Sequence, residues 1–351
     1  SGTAVRREGN RRPVCGVGSA GGGADVRSTS LSVPRGRRKK TPPLTLALIG
    51  AGRWGKNIQR TLASIPACNL LYVETRAWKY LTTIADLDGV LIATPGSTHA
   101  EVALPFIERG IPTFIEKPLT TSLRDALALQ RAAEKSRTRV FVGHVHLYNP
   151  AFLKAKALAR RAGRIRVLFA EGMNNGPYRD DMSALWDWAP HDLAMALDLL
   201  GRSPIAVQAA GFAALRPQTT LHDVVTVHLR FREGMELFGT YSWLAPEKRK
   251  RFTIVGTKDT IVFDDTAEQK VTVYRGLGPT VDGAHVHRSA PEVFRPPYSP
   301  TPSLTAELHA FLSMVRTGQK PRSDLQQSID VVRILDASEK SIAHSGRWIR
   351  L

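Results

Sequence analysis

From Leu44 to His146, short apolar runs alternate with amphipathic stretches. The runs LTLALI (44–49), GVLIATP (89–95), IPTFIEKP (111–118) and RVFVGHVH (139–146) are almost continuously hydrophobic. Such runs mark strands buried on both faces, as in a parallel sheet. Between them, Ile58, Leu62 and Ile65 recur on one helical face, and His99–Arg109 and Ser122–Ser136 carry helical spacing. A short strand is expected at Leu70–Glu74. Strands alternating with helices predict an α/β unit with a sheet covered on both sides.

The pattern changes after Asn149. Pro150–Ala162 and Pro190–Leu200 predict helices, and six strand-like runs follow between Ile205 and Gly276: AVQAAGFAAL, VVTVHLRF, ELFGTYSWL, RFTIVGT, DTIVFDD and KVTVYRG. The turn signals between them (REGM, GTKD, DDTAEQ) suit antiparallel pairing. Two helices close the chain, about Leu304–Thr317 and Asp324–Ala343. The expected division is a basic tail at 1–43, a Rossmann-type dinucleotide-binding domain at 44–145, and an α+β domain at 146–351. That last domain carries a large, mostly antiparallel sheet for substrate binding and oligomerisation.

Composition changes this little. A hydrophobic share of 42% and a charged share of 23% are those of an ordinary globular enzyme. No apolar run is long enough to span a membrane. Cys15 and Cys68 give neither a disulfide framework nor a metal spacing, so a reducing, cytoplasmic setting and no metal are expected. The net charge of +18 is uneven: residues 1–43 carry ten Lys or Arg against Glu8 and Asp25, which is +8 of the total. Rich in Gly, Ser and Arg, that tail is expected to be an unstructured extension. It lacks the apolar core of an export signal, although its Arg-rich, acid-poor character also suits an organellar presequence or phosphate binding. Nucleic-acid association would rest on the tail alone.

Gly50-Ala51-Gly52-Arg53-Trp54-Gly55 is a GxGxxG that follows a buried strand and opens a helix. In that context Gly50 makes the turn, Gly52 lets the backbone approach a pyrophosphate, and Gly55 lets the helix pack on the sheet. The phosphates would meet the helix N-terminus. A ribose-binding carboxylate is expected some 20 residues on. Glu74 is placed for that, whereas Arg76 suits a 2′-phosphate, so NAD and NADP both remain open.

Lys117 ends a buried strand, on the rim where parallel sheets bind ligands. Asp187 and His191 are four residues apart in DWAPH. Pro190 as the first helical residue would put His191 in the first turn, where the dipole keeps imidazole neutral. Asp187 could then cap the helix or reach His191. A neutral histidine suits removal of a hydroxyl proton. Taken singly, these positions are better read as a surface lysine, a helix cap and a packed histidine. Asp192, about 100° around the helix from His191, reads as a helix-start charge. The loop NNGPYRDD offers Asn175, Tyr178, Arg179 and Asp181 for hydroxyls or a phosphate, and Tyr148 and Asn149 lie where the first unit ends. Strand alternation would put His144 and His146 on one face, beside the cleft.

With IATPGSTH (92–99) and FIEKPLT (114–120) after such a loop, the chain resembles the Gfo/Idh/MocA oxidoreductases from Leu44 to its end. GHVHLYNPAF, LWDWAPHD and FTIVGTKDTIVFDD resemble the family's later blocks, and YNPAF with LWDWAPHD resembles its nucleotide-sugar 3-dehydrogenases. The resemblance implies a cis Lys117–Pro118 bond and an active site of Lys117, Asp187 and His191. It implies cofactor contacts at Gly50, Gly52, Arg53, Trp54, Gly55, Thr94, Pro95, His99, Glu116 and Lys117, and assembly as a homodimer or homotetramer. The implied activity is NAD- or NADP-dependent oxidation or reduction of a secondary hydroxyl on a sugar or nucleotide sugar. The alternative is a non-catalytic dinucleotide-binding regulator or scaffold. One departure stands out: about a dozen residues replace the helix and strand that usually follow the second strand, shortening the adenosine wall.

Overall fold

A computed structural model describes residues 42–66, 68–73, 75–277, 280–282, 285–287 and 290–351. The expectations for the basic tail (1–41 of it) and for Glu74 fall outside these residues, as does the side chain of Arg76.

Five parallel strands form the first sheet: β1 (Leu44–Ile49), β2 (Cys68–Val73), β3 (Gly89–Ile92), β4 (Thr113–Glu116) and β5 (Val140–Gly143). Their order is β2-β1-β3-β4-β5. Residues 46–49, 90–92 and 114–115 are wholly buried, which accounts for the unbroken apolar runs. Helices α1 (Arg53–Ala63), α2 (His99–Glu108) and α3 (Leu123–Ser136) connect the strands. The shortened segment is a 3-10 helix, Thr75–Thr83, that feeds β3. It is packed: Trp78 meets Phe106 with ring centroids 6.2 Å apart, and Leu81 is buried. Arg109 of the α2 C-cap fastens its end, donating to the carbonyls of Thr82 and Ile84 at 2.5 and 2.9 Å.

After β5 come a 3-10 turn (Val145–Tyr148) and α4 (Pro150–Ala159), capped by the Asn149 side chain. The RVFVGHVH strand therefore stops at Gly143, and the alternation expected for His144 and His146 does not apply. The second sheet contains β6 (Ile165–Asn175), β7 (Ala206–Phe212), β8 (Val224–Arg230), β9 (Glu236–Ser242), β10 (Leu244–Gly256), β11 (Thr260–Asp264) and β12 (Val271–Arg275). A small hairpin, β13 (Thr280–Asp282) with β14 (His285–His287), stands apart, and β15 (Glu292–Phe294) and β16 (Ile349–Arg350) edge the large sheet. The nine-strand order is β15-β12-β11-β10-β6-β9-β8-β7-β16. Its pairings are antiparallel except β6 with β9. Helices α4, α5 (Ala184–Leu200) and α7 (Leu325–Ala343) pack on one face, and α6 (Ser303–Thr317) reaches back toward the first sheet, where Phe311 meets Phe114 and Phe141.

Two elements differ from the sequence expectation. The strand β6 at the middle of the large sheet was not anticipated, because IRVLFAEGMNN mixes charge with glycine. The helix α5 starts at Ala184, not Pro190, with Ser183 as its N-cap, so Pro190 lies inside it. Pro190, the seventh helical residue, removes one interior i→i−4 hydrogen bond, to the Trp186 carbonyl, and tertiary burial of Leu185, Trp186 and Ala189 holds the helix together across it.

Candidate active site

The glycine loop joins β1 to α1. Gly50 has φ +123°, and a Cβ there would lie 2.5 Å from the Ala93 carbonyl oxygen. A Cβ on Gly55 would lie 2.0 Å from the oxygen of Gly50. These two glycines let β1, β3 and α1 meet. Gly52, the α1 N-cap, is different: a Cβ there would touch nothing within 4 Å, so nothing within the protein demands glycine. That open space lies before a helix N-terminus with no acidic side chain in its first turn, which is the cradle a dinucleotide pyrophosphate requires. The residues present therefore fit a nicotinamide dinucleotide.

Trp54 extends from this loop, 39% exposed, and its indole N–H donates to the Glu116 carboxylate at the end of β4. Glu116 also accepts from the Lys117 amide at 3.1 Å. Burial raises its proton affinity, with Trp54 and Lys117 opposing. Beneath it Glu307 of α6 is wholly buried, with both oxygens unpartnered; burial and the neighbouring Glu116 push its pKa well up, so it stays protonated.

His99, expected at the cofactor, is instead 1% exposed and faces the protein. Its Nδ1 lies 2.8 Å from the Pro118 carbonyl oxygen and its Nε2 lies 2.9 Å from that of Thr94. The imidazole thus ties the end of β3 to the turn after β4. Thr94 is itself buried and accepts from Thr98 Oγ1 at 2.8 Å; Pro95 accepts from the same hydroxyl through its carbonyl. Arg53 is exposed on the first turn of α1.

The bond Lys117–Pro118 is cis. Lys117 crosses to α5, where its Nζ donates to the Asp187 carbonyl at 2.7 Å and lies 3.5 Å from the Asp187 carboxylate. The other carboxylate oxygen accepts from Trp243 Nε1 at 3.2 Å, and Trp243 is fully buried. Asp187 therefore holds Lys117, neither capping the helix nor bonding His191. The α5 start at Ala184 carries a second correction: His191 is in the third turn, beyond the reach of the helix-dipole argument. Its pKa is well below the usual histidine range because it is buried, with Lys117, His146, Lys250 and His144 adding to the effect. Neutral imidazole, expected from the dipole, comes from burial and neighbouring charge.

Asp192 is not a helix-start charge. It is buried in mid-helix, facing Tyr241, and its pKa is raised to about 8 by burial, partly offset by Lys250. Its carboxyl is thereby protonated at neutral pH. His144 is buried with neither ring nitrogen partnered, and burial followed by Lys117 and His146 lowers its pKa to about 3.

The expected substrate residues divide. Asn175 ends β6 and accepts from the Tyr178 hydroxyl, and Arg179 forms a fork with Asp181 at 2.9 and 2.8 Å. The Arg179 charge is reinforced first by Asp181 and also by Asp187, which puts this loop beside the Lys117–Asp187 pair. Tyr148 and Asn149, by contrast, turn inward. Tyr148 stacks on Phe141 and exchanges hydrogen bonds with Ser323 at 3.0 and 3.2 Å. Asn149 caps α4 at 2.9 Å and donates to Asp265 at 3.1 Å. Both are occupied as structural groups, since a buried polar side chain must find protein partners. Next to the Arg179 loop is a cavity of about 200 Å³ lined by residues that include Thr121, Asp181, Ser183, Trp186 and Glu339.

Trp243, Tyr241, Lys250 and Glu307 are missed by sequence reasoning, since each meets the site from a distant strand or helix. No group of three or more His, Cys, Asp or Glu among the described residues is arranged to hold a metal ion. No helix among them is long and apolar enough to cross a membrane.

Two family models match, an oxidoreductase family with an NAD-binding Rossmann fold over 58–144 and the Gfo/Idh/MocA C-terminal domain over 153–262. A crystal structure of an oxidoreductase from Magnetospirillum magnetotacticum MS-1 is 34% identical, covering 84% of this chain and 99% of that one, with TM-score 0.73. The chain belongs to the Gfo/Idh/MocA oxidoreductase family. Among curated members, it is 30% identical over 204 residues to the UDP-N-acetylglucosamine 3-dehydrogenase of Acidithiobacillus ferrooxidans. That match covers 57% of this chain and 62% of the enzyme. It is likewise 30% identical over 224 residues to a myo-inositol dehydrogenase of Streptomyces leeuwenhoekii, covering 57% of this chain and 69% of the relative. The five-stranded sheet is thus a Gfo/Idh/MocA dinucleotide-binding Rossmann fold, here with its second crossover reduced to one 3-10 helix.

Proposed function

We propose that this protein is a nicotinamide-dependent oxidoreductase that interconverts a secondary alcohol and a ketone on a sugar or polyol. The carrying observation is the Lys117–Asp187 pair, which joins the dinucleotide sheet to α5 beside a half-buried histidine whose proton affinity is lowered. Bound dinucleotide, NAD or NADP, supplies the hydride acceptor or donor. Lys117 hydrogen-bonds the reacting oxygen and stabilises its alkoxide character as the carbon–hydrogen bond breaks. Asp187 anchors Lys117, with Trp243 fixing the carboxylate. His191 takes the hydroxyl proton during oxidation and returns it during reduction. The pocket is walled by buried groups, and exclusion of water strengthens each of these contacts.

A nucleotide sugar is the sharper substrate. The resemblance to a UDP-N-acetylglucosamine 3-dehydrogenase and the Arg179 guanidinium, paired with the cavity-lining Asp181, both favour it. In this assignment Arg179 exchanges Asp181 for a substrate phosphate, while Asn175 and Tyr178 meet hydroxyls. The experiment is nicotinamide fluorescence on titration with NADH and NADPH, followed by turnover on UDP-N-acetylglucosamine and myo-inositol. Saturable binding with turnover of either supports the proposal. Saturable binding with no turnover across a wider sugar panel would leave a dinucleotide-binding regulator as the better description.

A further inference from the structure

Behind His191, between α5 and the large sheet, is a cavity of about 10 Å³ lined by residues that include His146, His191, Asp192 and Lys250. About 10–15 Å³ is the space one water needs, and this lining offers it polar partners. The His146 and His191 rings meet edge to face with centroids 4.8 Å apart. The Nδ1 atom of each is buried without a protein partner. An unsatisfied buried nitrogen is costly and calls for a ligand or a role.

His146 is acted on by the charge of the anion Asp265. Among the charged groups that face it, Lys117 from the β4 end, Lys250 from β10 and Lys270 before β12 are cations, and Asp265 after β11 is an anion. His144 and His191 are its titratable neighbours. Asp265 is fixed by Asn149 Nδ2 at 3.1 Å and Lys270 Nζ at 2.7 Å. Its side chain is 19% exposed, so it reaches solvent. Asn149, unavailable to a substrate, thereby has a place in the same chain of groups.

We propose that His146 is the proton-transfer partner of His191, carrying the substrate's hydroxyl proton through the cavity toward Asp265 and solvent. This rests on the oxidoreductase function above. In oxidation the carbon–hydrogen bond breaks and its electron pair leaves with hydrogen to the nicotinamide, while the oxygen–hydrogen bond breaks and its proton goes to His191. That proton passes through a cavity water to His146 and then toward Asp265. The sum is alcohol plus oxidised dinucleotide giving ketone, reduced dinucleotide and one proton released to solvent. Reduction runs the same path inward. His191 cannot keep the proton, because Lys117 and burial hold its proton affinity low. His146 is a positioning residue that acts through His191 and does not meet the substrate.

The test compares wild type, His146→Gln and Asp265→Asn as full chains, using whichever of UDP-N-acetylglucosamine and myo-inositol the wild type oxidises. NADH or NADPH fluorescence serves as the check on folding and cofactor binding. His146→Gln is expected to lower kcat about 10²-fold, in the range typical of a lost proton-transfer group. KM and cofactor affinity should stay within twofold, and a solvent deuterium isotope effect on kcat should appear that wild type lacks. Asp265→Asn is expected to show the same isotope effect with a smaller loss and a changed pH profile. Retained kcat in His146→Gln, or a lower kcat without a solvent isotope effect in both variants, would overturn the relay while leaving the oxidoreductase function intact. No wild-type turnover on a wide sugar panel would instead remove the oxidoreductase function, and the relay with it.

Discussion

Lys117 Nζ lies 2.7 Å from the main-chain oxygen of Asp187, so the lysine is anchored partly by backbone. The carboxylate contributes a longer contact of 3.5 Å and is itself held by Trp243. Asp187→Asn should therefore keep Lys117 in place while removing a charge. We expect kcat to fall about tenfold with little change in KM, whereas Lys117→Met should lose about 10²–10⁴-fold, the scale of an electrophilic contact made chiefly in the transition state. Steady-state kinetics on both variants check this ordering, and a larger loss in Asp187→Asn than in Lys117→Met would contradict it.

His99 lies between carbonyl oxygens of two loops, at 2.8 and 2.9 Å, and as a neutral imidazole donates to one of them while packing against the other. His99→Ala should release the turn that aims Lys117. The expected result is a kcat about tenfold or more lower, the cost of misplacing a reacting group, with the protein still binding NADH or NADPH. Loss of cofactor binding with kcat preserved at saturating cofactor would return His99 to the dinucleotide site that the sequence suggested.

Four histidines (His99, His144, His146 and His191) have proton affinities lowered chiefly by burial. Below the unfolded value of about 6.5 the unfolded chain binds protons that the folded chain does not, so stability falls as pH falls. Each such histidine removes up to about 1.4 kcal/mol per pH unit until its folded pKa is reached. Asp192 acts in the opposite sense. With its folded pKa near 8, the folded chain holds a proton that the unfolded chain loses above about 4, so stability declines as pH rises toward 8. Glu116 and Glu307, whose proton affinities burial also raises, act in the same sense as Asp192, so the histidine effect is read on a single site: from pH 7 to pH 5.5 the urea midpoint of His144→Leu should shift in the variant's favour relative to wild type. Asp192→Asn should gain stability relative to wild type at pH 8 and lose that advantage near pH 4. A wild-type-to-His144→Leu difference that stays the same at pH 7 and pH 5.5 would contradict a buried neutral His144.

Phe169 and Phe238 stack on the outer face of the nine-stranded sheet with centroids 6.0 Å apart, and His228 stacks on Phe238 at 4.2 Å. Phe169 and Phe238 are 43% and 40% exposed, on the face opposite α5 and α7. We expect this face to pack against a second copy of the chain, as a homodimer or homotetramer. Light scattering should report that assembly in wild type and a monomer for Phe238→Lys; a wild-type monomer at micromolar concentration would refute it.

Much of this was legible in the residues. Unbroken apolar runs located β1, β3 and β4, since strands covered on both faces tolerate few polar residues. The glycine loop and its helix followed from turn chemistry. What escaped was set by tertiary contact. Pro190 read as a helix start because local rules favour it there, yet burial of Leu185, Trp186 and Ala189 extends α5 to Ala184. Tyr148 and Asn149 read as cleft residues on position alone, but Ser323 and Asp265, far along the chain, draw them inward. The partners of Asp187 and Asp192 come from β9 and the turn after it, with no local signal.

The proposed chemistry is hydride transfer at a site organised by Lys117. Its most direct measurement is the change in nicotinamide absorbance when wild type and Lys117→Met, each saturated with oxidised dinucleotide, meet UDP-N-acetylglucosamine or myo-inositol. Wild type should reduce the dinucleotide with at least one of the two, and the variant should do so at a rate lower by about 10² or more despite equal cofactor binding. Equal rates in wild type and Lys117→Met would contradict it.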